Sequence, residues 1–269
     1  MTEKKIWTSD SLPDGSGEEG YLKENQEWPT LRHRLGQPRI LKHYHFPEVL
    51  TWMNKKGRSN DFSYFDAGCG HGNDLRVMKK LLGRGNFFGV DLSRATINRG
   101  LEFYRQRDGE DTNEAKSMFG VGNLHDLSQV KIWDDDQQDF AWPDSLKDEE
   151  FDLIYMEAVL QASGYGYKTY GEKRESAQQT LAEIYRVCKP GGKFMGRTMA
   201  FMPTVSQKER FATLRDHGSW QFIPELNELI ALLKESGFKN LRTMAEMHEK
   251  AAEDPRRKDV IKLSFLGEK

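Results

Sequence analysis

The sequence predicts an α/β fold: a Rossmann-like, seven-stranded, mostly parallel sheet with helices on both faces and the last strand antiparallel. Short, nearly all-apolar segments alternate with helical patterns, which is typical of parallel strands that are covered on both sides. A glycine-rich stretch at 68–72 directly follows the first of these segments. The last two predicted strands have no helix between them, so we expect one of them to run antiparallel.

The predicted elements begin at Phe46, where Pro47 suits the first turn of a helix. The first strand covers 63–67, and apolar residues at helical spacing predict a helix after the glycines. Ser93 is the expected cap of the next helix. Further strands are predicted at 87–91, 118–121, 151–156, 193–197, 241–244 and 260–266, and further helices at 177–188 and 224–236. The acid-rich stretch 131–150 is predicted to connect two strands without forming one.

The chain has 269 residues and a formal net charge of −2. We expect residues 1–37 to form a polar N-terminal arm, a candidate lid, and residues 38–269 to form one domain. No stretch approaches the roughly 18 apolar residues of a membrane span, and the N-terminus lacks the apolar core of a secretory signal. With only two cysteines, the expected location is the cytoplasm. No metal site is predicted, because no carboxylate or cysteine pattern accompanies His33, His43 and His45.

The spacing of the glycines separates this loop from two common phosphate-binding motifs. The glycines stand at 68, 70 and 72, whereas a dinucleotide-binding G-x-G-x-x-G would need a third glycine at position 73, which is Asn73. The P-loop pattern G-x-x-x-x-G-K-[ST] does not occur here either. A glycine loop between a strand and a helix still allows a ligand to approach the backbone closely and points unpaired N–H groups at it.

The segment Phe65-Asp66-Ala67-Gly68-Cys69-Gly70-His71-Gly72 resembles the first motif of class I S-adenosylmethionine-dependent methyltransferases. Arg186-Val187-Cys188-Lys189-Pro190-Gly191-Gly192 is similar to the turn that precedes the fifth strand in that family. The resemblance implies that S-adenosylmethionine is the cofactor, that Asp66 acts near its methionine end and that Asp91 binds its ribose hydroxyls. It implies cofactor-binding roles for Asp66, Gly68, Cys69, Gly70, Gly72, Asp91, Leu92, Asn123, Leu124 and Glu157.

The third strand departs from the family pattern. The family has an acid there that meets the adenine amino group, and this chain has Asn123, whose carbonyl could accept the same hydrogen bond without charge. Asp126 is a second candidate for that role. Cys69 is interpreted as a small packing residue rather than a nucleophile.

The acceptor side is predicted from the loop that follows the fourth strand. Tyr165, Tyr167 and Tyr170 are candidate acceptor-binding residues, because loops at that end of a parallel sheet shape binding sites. Glu157 and His45 are the candidate catalytic bases, needed only if the acceptor atom is protonated. The expected reaction is in-line displacement at the methyl carbon.

The near-neutral charge favours a small-molecule acceptor. A second hypothesis is RNA methylation, because Gly68–Leu75 is similar to the G-C-G-x-G-x-D-L of messenger-RNA cap guanine methyltransferases. A locally basic segment would then meet phosphate: Arg32, Arg34, Arg39, Lys42, Lys55, Lys56 and Arg58. A third hypothesis is a non-catalytic module that binds S-adenosylmethionine without turnover.

Overall fold

A computed structural model describes residues 38–56, 61–134, 139–141, 146–162, 169–202, 222–247 and 260–269. In this part of the chain nine strands form one sheet. They are β1 (Ser63–Ala67), β2 (Asn86–Asp91), β3 (Phe119–Val121), β4 (Lys131–Asp134), β5 (Asp139–Ala141), β6 (Phe151–Glu157), β7 (Cys188–Phe201), β8 (Lys239–Met247) and β9 (Val260–Glu268). The predicted N-terminal arm, 1–37, lies outside the described residues.

Seven α-helices accompany the sheet in the same part of the chain. They are α1 (Phe46–Lys56), α2 (Asn73–Leu82), α3 (Arg94–Asp108), α4 (Thr112–Lys116), α5 (Val159–Ala162), α6 (Tyr170–Val187) and α7 (Leu226–Glu235). Ser93 caps α3 as predicted, because its side chain accepts a hydrogen bond from the Thr96 N–H. None of these helices is long and apolar enough to span a membrane.

The strand order is β5-β4-β3-β2-β1-β6-β7-β9-β8. β1 pairs in parallel with β2 and β6, β2 with β3, and β6 with β7. β9 runs antiparallel between β7 and β8, so the last strand is antiparallel as expected. The predicted fold class is therefore confirmed.

The predicted number of seven strands is wrong for the described residues, because the acid-rich stretch after β3 forms the hairpin strands β4 and β5. Trp133 of β4 faces Phe140 of β5 across the hairpin, with their ring centroids 5.4 Å apart. The Lys116 ammonium lies 3.7 Å from the centre of the Trp133 ring. Aromatic cross-strand pairs stabilise antiparallel strands, and this pair outweighs the polar composition of the segment.

The turn predicted at 189–192 forms inside β7, which is much longer than the predicted strand at 193–197. Phe151 pairs with Cys188 and Leu153 with Lys193, so three extra residues of β7 bulge out between these pairs. Gly191 has a φ of 69°, and the Gly191 N–H donates to the Lys269 carbonyl at 3.0 Å. The C-terminal residue therefore holds the bulge in place.

The sheet carries an apolar layer on each face. Phe65 and Ile154 point into a layer formed with α6 and α7, and Tyr64 and Tyr155 point into a layer formed with α1, α2 and α3. All four of these side chains are fully buried. The alternation follows from the two-residue period of a strand, and it fixes which strand residues face each layer.

Asp152 joins the amino-terminal ends of β1 and β6. Its carboxylate accepts hydrogen bonds from the Ser63 N–H at 3.0 Å, from Lys56 at 3.0 Å and from Lys189 at 2.7 Å. Burial alone would raise the pKa of the Asp152 carboxyl, but the hydrogen bonds from Lys189, Lys56 and Ser63 outweigh burial and hold it below its usual value. The ionised carboxylate is therefore the form that stabilises the fold.

Replacing Asp152 with Asn should lower the free energy of unfolding at pH 7 by about 1–3 kcal/mol, because two lysines lose their counter-charge. The pKa of the folded carboxyl lies below its unfolded value, so this stabilisation is fully present above about pH 4. It should fade as the pH falls through the folded pKa. Denaturant titrations of both proteins across that range measure the difference.

The exposed acid Glu114, which pairs with Lys79 on the surface, provides the control. Glu114→Gln should change the stability by no more than about 0.5 kcal/mol. A difference between wild type and Asp152→Asn that stays constant into the acid range would contradict the role given to the carboxylate.

Candidate active site

The candidate site lies at the carboxyl ends of the central strands. The chain leaves β1 toward β2 and β3 on one side and later returns through β6 and β7 on the other, so the strand order reverses between β1 and β6. Ligands of open parallel sheets bind outside the carboxyl ends of the strands at such a reversal. The end of β1 runs directly into the glycine loop, residues 68–72.

The glycine loop is shaped by backbone that only glycine adopts easily. Gly68 and Gly72 have φ values of 77° and 72°, which lie in the left-handed region. A Cβ on Gly68 would lie 2.2 Å from Val159 Cγ2, and one on Gly72 would lie 2.4 Å from the Phe119 ring. The spacing of these glycines therefore follows from both backbone angle and close packing.

Asp91 lies at the end of β2 and contacts the glycine loop directly. Its Oδ2 accepts a hydrogen bond from the Gly70 N–H at 2.8 Å, and its Oδ1 accepts one from the Ser93 N–H at 2.9 Å. The loop also reaches β2 through the Gly68 and Cys69 N–H groups, which donate to the Val90 carbonyl at 2.7 and 3.0 Å. The structure thus brings together the two features on which the sequence prediction rested, the glycine loop and the carboxylate after β2.

Asp66 is a buried carboxyl near the carboxyl end of β1. It accepts a hydrogen bond from the Leu75 N–H of α2, while its Oδ2 has no partner among the described residues. Burial, followed by the nearby charges of Asp74 and Asp91, raises its pKa well above the usual value. A buried oxygen without a partner is costly, so this atom calls for a donor that the described chain does not provide.

Glu157, at the end of β6, is held by both hydrogen bonding and charge. The Tyr155 hydroxyl donates to it at 2.9 Å, and the guanidinium groups of Arg39 and Arg197 lie 3.5 and 3.7 Å from its Oε1. The negative charges of Asp74 and Glu157 raise the pKa of Asp66, and that of Glu157 also raises the pKa of Asp74, which places the three carboxyl groups in one acidic cluster. We refer to Asp66, Asp74 and Glu157 as the acidic cluster.

Residues 38–45 pass over this end of the sheet. Asp74 accepts hydrogen bonds from the backbone N–H groups of Arg39 and Ile40 at 2.6 and 2.8 Å. Burial raises the pKa of the Asp74 carboxyl to about 6 even though these two donors oppose the shift. Arg197 donates to the Lys42 carbonyl at 2.9 Å. Sequence analysis did not predict that Asp74, Arg39 and Arg197 meet at one edge: it placed Asp74 in the motif Gly68–Leu75 and Arg39 in the basic segment, and it gave Arg197 no role.

His45 and Glu157, the two predicted bases, lie in different electrostatic surroundings. The charges that act on the pKa of His45 are Glu48 and Arg242, and burial, the largest influence, lowers that pKa. The His45 Nε2 is buried without a partner in the described part of the chain. The Glu157 carboxylate belongs to the acidic cluster instead.

The neighbouring His43 is fixed as a neutral ring. Its Nε2 lies 2.7 Å from the Gly196 carbonyl, which can only accept, so Nε2 carries the proton. Its Nδ1 accepts a hydrogen bond from the His45 N–H at 3.2 Å. Burial lowers the pKa of His43 to about 4, which agrees with a ring that stays neutral. His43 therefore fixes the segment 38–45 against β7 through its ring hydrogen bonds.

Arg76, a buried side chain of α2, supports the glycine loop from below. Its guanidinium donates to the His71 carbonyl at 2.9 Å and to the Gly72 carbonyl at 3.2 Å. Glu110 accepts from it at 2.8 Å, and the Tyr104 ring centre lies 4.0 Å from its Cζ. The apolar periodicity of α2 gave no sign of this arginine, because a charged residue at a helix position is usually solvated.

The remaining loop residues fit a packing role or a cap. Cys69 is buried, and burial raises the pKa of its thiol well above the usual value, so it is protonated and poorly nucleophilic. Asn123 accepts a hydrogen bond from the His125 N–H at 3.0 Å through its side-chain oxygen. Leu124 is buried beside it, and Leu92 is 39% exposed. Asp126, the second candidate, caps the short turn that follows.

The predicted acceptor loop is only partly described. Tyr165 and Tyr167 lie outside the described residues, and their predicted roles stay predictions. Tyr170 begins α6, where its hydroxyl donates to Glu228 and its ring lies 5.4 Å from the Phe222 ring. The described residues contain no group of three or more His, Cys, Asp or Glu side chains that could hold a metal ion.

Comparisons with known proteins agree with this geometry. Residues 65–194 match a family model described as a methyltransferase domain. That range runs from β1 through the glycine loop and Asp91 into β7. No curated protein sequence matches the chain.

Several solved structures share the fold. Phosphoethanolamine N-methyltransferase 2 from Haemonchus contortus matches with a TM-score of 0.53 and 15% identity, over 83% of this chain and 52% of that one. Geranyl diphosphate C-methyltransferase from Streptomyces coelicolor matches with a TM-score of 0.55 and 15% identity, over 89% and 86%. An arsenic(III) methyltransferase from Chlamydomonas reinhardtii matches with a TM-score of 0.52 and 21% identity, over 79% and 64%.

The chain spans about half the length of the Haemonchus contortus enzymes it matches, at 52% and 53%. At these identities the structures show a shared fold, while the family model addresses the sequence itself. Residues 65–194 are thus similar in sequence to a methyltransferase domain, and the glycine loop and the sheet order agree with that match.

Proposed function

We propose that this chain binds S-adenosylmethionine across the glycine loop and Asp91 and transfers its methyl group to a small-molecule acceptor. The hydrogen bond between the Gly70 N–H and the Asp91 carboxylate, 2.8 Å long, is the observation that carries the proposal. It places the glycine loop beside a carboxylate that can accept hydrogen bonds from ribose hydroxyls, at the strand-order reversal. When bound, S-adenosylmethionine supplies an electrophilic methyl group on a sulfonium centre.

The residues present fit this cofactor. In the proposal, Asp91 holds the ribose hydroxyls, since a carboxylate oxygen that already accepts one N–H can accept further donors. Asp66 takes the methionine ammonium, which would satisfy its unpartnered Oδ2. Gly68, Cys69, Gly70 and Gly72 line the loop, Leu92 and Asn123 flank the adenosine, and Leu124 packs behind it. The acidic cluster favours a cation at this edge of the sheet.

Glu157 and His45 remain the proposed catalytic residues, but only Glu157 lies at the edge where the cofactor is proposed to bind. Glu157 faces the cofactor edge, where its carboxylate could hold or accept a proton from the acceptor. His45 is a buried, neutral ring beside Glu48 and Arg242, so a catalytic role would require the acceptor to reach that side of residues 38–45. Tyr165, Tyr167 and Tyr170 are proposed to line the acceptor side.

The environment of the basic segment supports a small acceptor over RNA. Arg39 pairs with Glu157 at 3.5 Å, and Lys56 pairs with Asp152 at 3.0 Å, so both cations are engaged within the fold. A lysine or arginine that is already paired with an acid is less available to neutralise an RNA phosphate and displace its counterions. Lys42 and Lys55 are exposed, while Arg32, Arg34 and Arg58 lie outside the described residues. RNA methylation therefore stands as the second hypothesis, and salt-sensitive RNA binding would favour it.

Turnover separates an enzyme from a non-catalytic binding module. Labelled S-adenosylmethionine incubated with the protein and pools of small metabolites should give labelled product and S-adenosylhomocysteine. The same incubation with capped and uncapped RNA tests the second hypothesis. Cofactor binding with no transfer to either pool would contradict the proposed enzyme activity.

Asp91→Ala should weaken S-adenosylhomocysteine binding by about 10- to 100-fold, because two charge-assisted hydrogen bonds to the ribose are lost. Asp91→Asn keeps one acceptor oxygen and should lose less affinity than Asp91→Ala. Isothermal titration calorimetry measures the affinity of both variants. Asp108→Asn, at an exposed position, is a charge-matched control that should bind like wild type. Unchanged affinity in Asp91→Ala would show that the cofactor site is elsewhere.

Arg76→Met should weaken cofactor binding by about tenfold and lower the free energy of unfolding by about 3 kcal/mol, because the loop carbonyls and Glu110 lose a shared buried donor. Arg76→Lys keeps the charge and should restore part of the affinity. Binding is measured well below the midpoint of thermal unfolding, so that loss of loop geometry is separated from loss of fold. Arg105→Met removes an exposed arginine that pairs with Glu102, and it should affect neither quantity. Normal affinity in a destabilised Arg76→Met protein would limit Arg76 to a structural role.

A further inference from the structure

Lys173 is a buried lysine for which the described residues offer no counter-charge. It is the fourth residue of α6 and is only 5% exposed. No hydrogen bond or ion pair reaches its ammonium group within the part of the chain that the structure describes, and the Nζ atom itself keeps some contact with solvent while the stem is buried. Lysine is almost never fully buried without a partner, so this residue needs an explanation.

The local electrostatics make the position more unusual. The N-terminal turn of a helix carries partial positive charge, which disfavours a cation there. Two acids near the start of α6 are already engaged: Glu172 of α6 completes a capping box with Thr169, and Glu228 of α7 accepts from Tyr170 and lies 3.5 Å from Arg174. Burial alone lowers the pKa of Lys173, with no charged neighbour contributing.

Lys173 lies on the side of α6 that faces the candidate site. It shares the inward stripe of the helix with Ser176, whose hydroxyl lies 2.8 Å from the His125 Nε2. His125 follows Asn123 and Leu124 at the carboxyl end of β3. Helical side chains tilt toward the helix N-terminus, so the Lys173 stem leads toward the carboxyl ends of the strands.

We infer that Lys173 and the first turn of α6 form an oxyanion subsite, and that the methyl acceptor is a small molecule carrying a carboxylate or phosphate group. This inference rests on the proposed function, because it gives the chemical class of the acceptor at that same site. An oxyanion here would pair with the ammonium and would interact favourably with the positive end of the helix dipole. The charges of the site would then be divided, with the acidic cluster at the cofactor end and Lys173 at the acceptor end.

The test is a calorimetric titration of inorganic phosphate and, separately, of acetate into the full chain, with and without saturating S-adenosylhomocysteine. Chloride at matched ionic strength corrects for screening. We expect one saturable oxyanion site in wild type and at least a tenfold weaker affinity in Lys173→Met. Tighter binding of phosphate than of acetate would indicate a phosphorylated acceptor, and the reverse order a carboxylated one.

Two further variants keep the result interpretable. Lys80→Met removes an exposed lysine from α2 and should bind the oxyanion like wild type. Lys173→Met should be at least as stable as wild type without oxyanion, because it removes a buried ammonium that lacks a counter-charge. If Lys173→Met does not fold, Lys173→Gln replaces it in the titration.

The outcomes distinguish this inference from the proposed function. Absence of S-adenosylhomocysteine binding in wild type would contradict the cofactor site, while the oxyanion titration of the free protein would still report on Lys173. Absence of saturable oxyanion binding, or equal binding by wild type and the Lys173 variant, would overturn the oxyanion subsite. An equal loss in Lys80→Met would also overturn it, since the effect would then follow net charge alone.

Discussion

The Asp91 carboxylate joins the ends of two neighbouring strands, and the geometry of the site depends on that connection. Its Oδ2 holds the Gly70 N–H and its Oδ1 holds the Ser93 N–H, so one side chain positions both the glycine loop and the start of α3. Parallel strands bring their carboxyl ends to one edge of a sheet, but they do not by themselves orient the loops that leave it. The loop is fixed from above by Asp91 and from below by the Arg76 guanidinium.

The second constraint is the accumulation of acid at the same edge. Nearby carboxylates raise the pKa values of Asp66 and Asp74, while Arg39 and Arg197 lie beside Glu157. Such repulsion costs stability in a protein without ligand. A cationic ligand at this edge would relieve the repulsion when it binds. The surplus of acid and the unpartnered Asp66 oxygen therefore both favour a cationic ligand.

The sequence alone predicts the structure correctly where short-range patterns determine it. The apolar strands, the Ser93 cap and the left-handed glycines at 68–72 all follow from short-range rules, and the structure confirms the fold class. The hairpin of β4 and β5 was missed, because its stability comes from the Trp133–Phe140 pair across strands rather than from composition. The pairs Arg76–Glu110 and Arg39–Asp74 were missed for a related reason: their members lie 34 and 35 residues apart in the chain, and a single sequence does not reveal such pairs.

Local patterns also explain why the cofactor side is easier to recognise than the acceptor side. The glycine loop and Asp91 are read from contiguous motifs at strand ends, whereas Lys173 lies within an ordinary amphipathic helix and resembles any surface lysine in sequence. Only burial distinguishes it, and burial is a property of the packed fold. An ammonium group that loses part of its hydration gains from a counter-charge, and the described chain provides none. In this proposal the counter-charge comes from the acceptor. The anionic group of the acceptor would then pair with Lys173 and balance its charge in the complex.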